Sequence, residues 1–149
     1  VQKQVLRILN KAVQERGCAL MMITHDLPII AAMCDTVAVM YAGRIVEMGP
    51  VAEVFRSPRH PYTKGLLDSQ PTMDNIALDG SSRLASIAGM VPPLHSLPRG
   101  CAFHPRCGAA TERCRTEVPQ LEKGTRRAAC WHPIAATAGA AVQAGVSAP

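Results

Sequence analysis

The feature that most limits how this chain can fold is an uninterrupted apolar run at residues 19–23, Ala-Leu-Met-Met-Ile, followed at once by Thr24, His25, Asp26, Leu27 and Pro28. Five apolar residues without polar alternation read as a strand covered on both faces in a parallel sheet; a half-wet strand alternates, and a helix needs more length. Asp26 can cap a new helix whose first turn holds Pro28, where no amide hydrogen is needed. The predicted unit is strand, histidine-bearing corner, helix. In open α/β sheets ligands bind outside the carboxyl ends of the strands, which makes His25 the first candidate site residue. By itself, a histidine at a strand end is more often plain loop.

Upstream, Val5, Ile8, Leu9, Ala12 and Val13 repeat at helical spacing and give one apolar face. Arg16-Gly17 closes this helix, a cation for the dipole followed by a residue that tolerates a left-handed cap. The periodic set is already under way at Val1, with no initiator Met and no N-cap, which reads as a piece of a longer protein. No leader pattern and no apolar run near eighteen residues occur, so the expectation is a protein neither secreted nor membrane-spanning. Downstream, a short helix over 28–34 leads to a strand at 37–41. Ala42-Gly43 then spells a two-residue hairpin into a second strand at 44–48. Gly49-Pro50 opens a helix over 51–56 with Glu53 in its first turn, and Ser57-Pro58 stops it.

This order of elements resembles a known family. Thr24-His25-Asp26-Leu27, followed by Cys34-Asp35-Thr36-Val37-Ala-Val-Met-Tyr-Ala-Gly-Arg-Ile-Val-Glu-Met-Gly49, is similar to the distal part of an ABC-transporter nucleotide-binding domain. The resemblance implies a RecA-like α/β fold, with His25 as the switch histidine that contacts the γ-phosphate of ATP and helps order the attacking water. An imidazole donor at a phosphoryl oxygen stabilises developing charge there. The chain holds no Gly-x-x-x-x-Gly-Lys-Ser/Thr loop, no apolar strand ending in Asp-Glu and no Ser-Gly-Gly signature. ATP and Mg2+ are therefore expected to be bound by the full-length protein, and these 149 residues alone to be inactive.

His60-Pro61-Tyr62-Thr63-Lys64-Gly65-Leu66-Leu67 narrows the resemblance to the oligopeptide and dipeptide transporter ATPases, whose C-terminal extension opens with such a segment. The residues read as a docking helix of about two turns, with no catalysis assigned to His60 or Tyr62. Residues 71–80 read as a polar connection, and 86–91 as a short strand running into Pro92-Pro93.

Six cysteines divide into two kinds. Cys18 and Cys34 sit in apolar segments and are expected to be small buried hydrophobes. Cys101, Cys107, Cys114 and Cys130 are spaced C-x5-C-x6-C-x15-C, and such density where thiols stay reduced argues for metal before disulfides. Zinc is the general first guess, but the short knuckle of structural zinc sites is missing, so spacing leaves the metal open. Members of the resembled family that carry this tail bind an iron–sulfur cluster through four cysteines, which implies [4Fe-4S], with zinc as the alternative. Between Arg99 and His132 seven cations face three carboxylates, so this segment holds four of the chain's formal +5 charges, as would suit an anionic cluster. Nucleic acid is disfavoured because Phe103 and Trp131 stand too far apart to form a stacking platform. His104 and His132 flank cysteines and are left out of the ligand set.

The sequence therefore predicts three regions: the end of an ABC ATPase core over 1–57, a four-cysteine extension over 58–133, and a structureless tail over 134–149 rich in Ala and Gly. The family implies a peripheral protein on the cytoplasmic face of the inner membrane. Its implied partners are a second ATPase subunit, two permease subunits and an external binding protein. Dipeptides, longer peptides, nickel and glutathione are all carried by relatives. The competing reading is a free-standing iron–sulfur or zinc module with no catalytic duty.

Overall fold

A computed structural model describes residues 2–70 and 86–135. The polar connection expected over 71–80 and the tail beyond residue 135 lie outside the described residues. Contacts divide the chain into two compact units, residues 1–35 and 36–149.

In the first unit, α1 (Gln2–Arg16) ends as expected: Gly17 takes φ of 60°, and the Cys18 amide donates back to the Val13 carbonyl at 3.3 Å. The second helix, α2 (Leu27–Met33), is capped by Asp26, whose carboxylate accepts from the Ile29 amide at 3.2 Å. Pro28 sits in its first turn. The strand expected at 19–23 is not formed. The run has no regular secondary structure and no ladder partner, with Met21 at 89% and Ile23 at 96% exposure. A strand is defined by the ladder beside it, and among the described residues no backbone supplies one. Cys18 is exposed rather than buried for the same reason, and Cys34 is half-buried.

The second unit is built on a three-stranded antiparallel sheet in the order β1 (Thr36–Tyr41), β2 (Arg44–Pro50), β3 (Arg127–Ala128). The hairpin turn places Ala42 at φ of 49° and Gly43 at 77°, the two left-handed residues that match the twist of paired strands. Val37, Val39 and Tyr41 point inward on β1 while Thr36, Ala38 and Met40 point out. In β2 the alternation breaks: Val39 pairs with Glu47 and Met40 with Ile45, so Val46 is an extra residue in a bulge. Consecutive Val46 and Glu47 are consequently both buried.

Helix α3 (Val51–Arg56) covers the sheet with Val51 and Val54, and Ser57 closes it by donating to the Glu53 carbonyl. After α4 (Pro61–Asp68) the chain returns through residues 86–107, then α5 (Glu112–Thr116), to β3. The strand expected at 86–91 is absent, because the backbone there serves a side chain instead. Arg106 donates from Nε to the Ala88 carbonyl and from its NH2 group to the Ile87 carbonyl, both at 2.9 Å. The core centres on Tyr41, Tyr62 and Phe103, whose ring centroids lie 4.7 to 5.5 Å apart.

Candidate functional site

His25 stands at an exposed corner between Thr24 and Asp26, directly before α2. The corner is shaped by two local bonds: the Thr24 hydroxyl accepts from the Asp26 amide at 3.0 Å, and Asp26 caps the helix. The imidazole is thus presented to solvent by a fixed backbone rather than a loose loop.

The four clustered cysteines converge from four segments of the second unit. Gly100, at φ of 71°, lets the chain pass so close to α5 that a Cβ there would collide with the Cys114 carbonyl oxygen. That approach allows the Cys101 amide to donate to the same carbonyl at 2.8 Å. Cys107 closes the 3-10 turn His104–Arg106, Cys114 is buried in α5, and Cys130 follows the short strand β3. All four line one cavity of about 10 Å³, the room of a single water, together with His60, Phe103 and Trp131. Trp131 is held by a donation from Nε1 to the Glu117 carbonyl at 3.1 Å, with the Arg113 guanidinium 3.4 Å from its ring centroid.

Burial favours the protonated thiols in this cavity. Burial pushes the Cys101 and Cys107 thiols above their ordinary value, and Cys130 up to about 11, with repulsion between neighbouring thiolates adding to the rise. Backbone amides oppose it: Phe103 and His104 serve the Cys101 sulfur, Ala109 serves Cys107, and His132 serves Cys130 at 3.4 Å. Amides aimed at sulfur favour thiolates, so the pocket prefers thiols when empty of cations and thiolates once a cationic metal core is present. Among the described residues, however, no three His, Cys, Asp or Glu side chains are grouped so as to hold one metal ion. The arrangement therefore differs from a closed zinc site, whose thiolates all lie about 2.3 Å from one ion.

The cationic environment expected around the cysteines is also not at the cavity wall, which contains no Lys or Arg. Arg106 is committed to residues 87 and 88, Arg113 to Trp131 and Glu117, and Arg127 to the Met48 sulfur. The two flanking histidines are engaged as well, His104 with the Cys101 carbonyl at 2.9 Å and His132 with the Thr111 hydroxyl at 2.8 Å.

Two residues that sequence reasoning passed over organise this site. Glu47, fully buried, accepts from the Arg59 amide at 2.8 Å and the His60 amide at 2.9 Å, so its carboxylate holds the N-terminus of α4. His60 caps that helix itself, with Nδ1 accepting from the Tyr62 amide at 3.0 Å. Burial lowers the His60 pKa to about 4. The His-Pro pair at the head of a helix was the available signal, since proline favours the first helical position and a side-chain acceptor the one before it.

Residues 46–114 match the family described as the oligopeptide/dipeptide transporter, C-terminal region. Over 142 residues the chain is 46% identical to a peptide import ATP-binding protein of Brucella ovis, covering 91% of this chain and 42% of the relative. It is 42% identical over 135 residues to the dipeptide transport ATP-binding protein of Haemophilus influenzae, covering 90% and 40%. It is 45% identical over 136 residues to the oligopeptide transport ATP-binding protein of Escherichia coli, covering 90% and 39%. Over most of its own length the chain is therefore similar to peptide, dipeptide and oligopeptide import ATP-binding proteins. It spans about two fifths of the length of these relatives. The mixed α/β architecture with its small antiparallel sheet suits the C-terminal part of such an ABC ATPase. No described helix is long and apolar enough to cross a membrane.

Proposed function

We propose that these residues are the distal part of the ATP-hydrolysing subunit of a peptide-importing ABC transporter, with the remaining RecA-like core supplied by the rest of that subunit. The observation that carries the reading is the Thr24-His25-Asp26-Leu27 corner, fixed by its own cap, in a chain of this family. In the assembled subunit the His25 imidazole hydrogen-bonds a γ-phosphate oxygen of Mg2+-bound ATP and orients the attacking water. The exposed run at 19–23 and the exposed Val5, Ile8 and Leu9 of α1 support this reading, because an apolar strand and helix face without cover suit a sheet continued by other strands. A second ATP-binding subunit, two permeases and an external binding protein complete the machine. The subunit works against the cytoplasmic side of the membrane, and its cargo is a dipeptide or longer peptide, as the relatives' names suggest.

The four cysteines are proposed as ligands of an iron–sulfur cluster of the [4Fe-4S] type. The support is the chemistry of the donor set: four thiols line one cavity, three of them with backbone amides directed to sulfur. When bound, such a group supplies four metal–thiolate bonds that staple together segments far apart along the chain. A structural staple is favoured over a redox sensor, since no electron-transfer partner is implied by the residues.

The reading is tested by labelled-peptide uptake in cells whose own subunit gene is deleted and replaced by the complete subunit carrying His25→Ala. Uptake is expected to fall to the level of the deletion while the protein remains at the membrane. Uptake equal to the unaltered subunit would remove His25 from the ATP site.

A further inference from the structure

The histidine that opens α4 has one nitrogen in use and one free. Because a backbone amide donates to Nδ1, that nitrogen carries no proton, and the neutral ring must hold its hydrogen on Nε2. His60 is 1% exposed, its Nε2 has no hydrogen-bond partner, and its ring lines the cavity that the four cysteines share. A buried N–H left unsatisfied costs about 1–3 kcal/mol. Such a donor beside four potential thiolates is a natural partner for sulfur. The cavity wall offers no Lys or Arg to balance anionic sulfur, and of the three histidines that line it His104 and His132 each have a ring nitrogen engaged elsewhere, whereas the buried Nε2 of His60 has no partner.

We infer that His60 is a positioning residue for the cysteine site: its Nε2–H donates to a cysteine sulfur or to the sulfur of the group the cysteines bind. This rests on the cluster reading above and adds to it. The opening histidine of the segment then has two jobs at once, capping α4 through Nδ1 and steadying negative charge in the cavity through Nε2. Glu47 completes the arrangement, since its carboxylate holds the His60 amide and so fixes where the ring starts. Hydrogen bonds to cluster sulfur raise the reduction potential by stabilising the more negative state.

Two substitutions separate the jobs. His60→Asn retains an acceptor near the Nδ1 position for the Tyr62 amide but loses the distal N–H. His60→Gln retains a distal N–H but loses the near acceptor. The complete subunit, purified without oxygen, is first assayed for iron and acid-labile sulfide, then titrated with dithionite while the cluster absorbance is followed. His60→Asn is expected to shift the reduction equilibrium about tenfold toward the oxidised form, about 59 mV for one electron, while His60→Gln stays near the unaltered protein. Loss of cluster from His60→Asn alone would support the same conclusion. Equal potentials in all three proteins, or equal shifts or equal cluster loss in both variants, would overturn the inference and leave only a helix cap. Absence of iron and sulfide from the unaltered subunit would refute the cluster reading, and this inference with it.

Discussion

Gly100 is the residue whose side chain matters most by being absent. At φ of 71° any L-residue is strained by about 1–2 kcal/mol, and a Cβ there would run into the backbone of Cys114 and Arg115. Gly100→Ala is expected to lose about 3 kcal/mol or more in chemical denaturation and to break the Cys101–Cys114 backbone bond. An unchanged denaturation midpoint would show that the cysteine segments are not joined through this approach. His60 gives a pH dependence of known sign. Its folded pKa of about 4 lies below the ordinary 6.5, so the unfolded chain binds the proton more readily. The contribution is full above about pH 6.5 and declines as pH falls toward 4, by at most about 3 kcal/mol. In metal-free protein, urea midpoints at pH 7 and 4.5 should differ more for the unaltered chain than for His60→Asn; equal differences would contradict the buried neutral ring. Neither residue was fully legible beforehand. The His-Pro pair hinted at a cap, but that its ring shares a cavity with four cysteines depends on folds of chain some forty to seventy residues away.

At the scale of elements, Glu47 is the strap between β2 and α4. Arg59 extends that strap: its guanidinium makes a two-point contact with Glu122 at 2.6 and 3.1 Å, and its carbonyl accepts from the Ile134 amide at 2.8 Å. Ile134, expected in the loose tail, is therefore tied down. Glu47→Ala would leave one buried and one part-buried amide without acceptors and a void at the sheet, a cost of about 3 kcal/mol or more. Thermal unfolding should show this loss, with Glu47→Gln intermediate because one acceptor oxygen remains; an unaffected Glu47→Ala variant would refute the strap. The elements read most faithfully from sequence were those whose causes are local. Ala42-Gly43 dictated the hairpin, and Pro50 with Ser57-Pro58 bounded α3. The run at 19–23 and the strand expected at 86–91 failed because ladders and coverage come from partners elsewhere. β3 was missed because Arg127–Ala128 is a strand only by virtue of pairing with Glu47 and Met48.

For the molecule as a whole, we propose that the histidine corner serves an ATP site, beside a cysteine-bearing segment that matches the C-terminal region of oligopeptide/dipeptide transporters over residues 46–114. The corner was legible as a motif, and its cap geometry follows from Asp26 and Pro28. The exposure of the apolar surfaces around it follows from what a sheet needs and this stretch does not itself contain. The convergence of the four cysteines could be suspected from density along the chain, yet it is produced by Gly100, Glu47 and β3, none of which spacing reveals. The proposed role of the His25 ring is to act on ATP once the complete subunit surrounds it. It is tested most directly by phosphate release from the purified complete subunit, unaltered and as His25→Ala, beside the 149-residue chain. The account predicts a fall of about 10²–10³ in turnover for the variant, and no ATP-dependent release by the 149 residues alone. Full turnover in the variant, or steady release by the short chain, would contradict it.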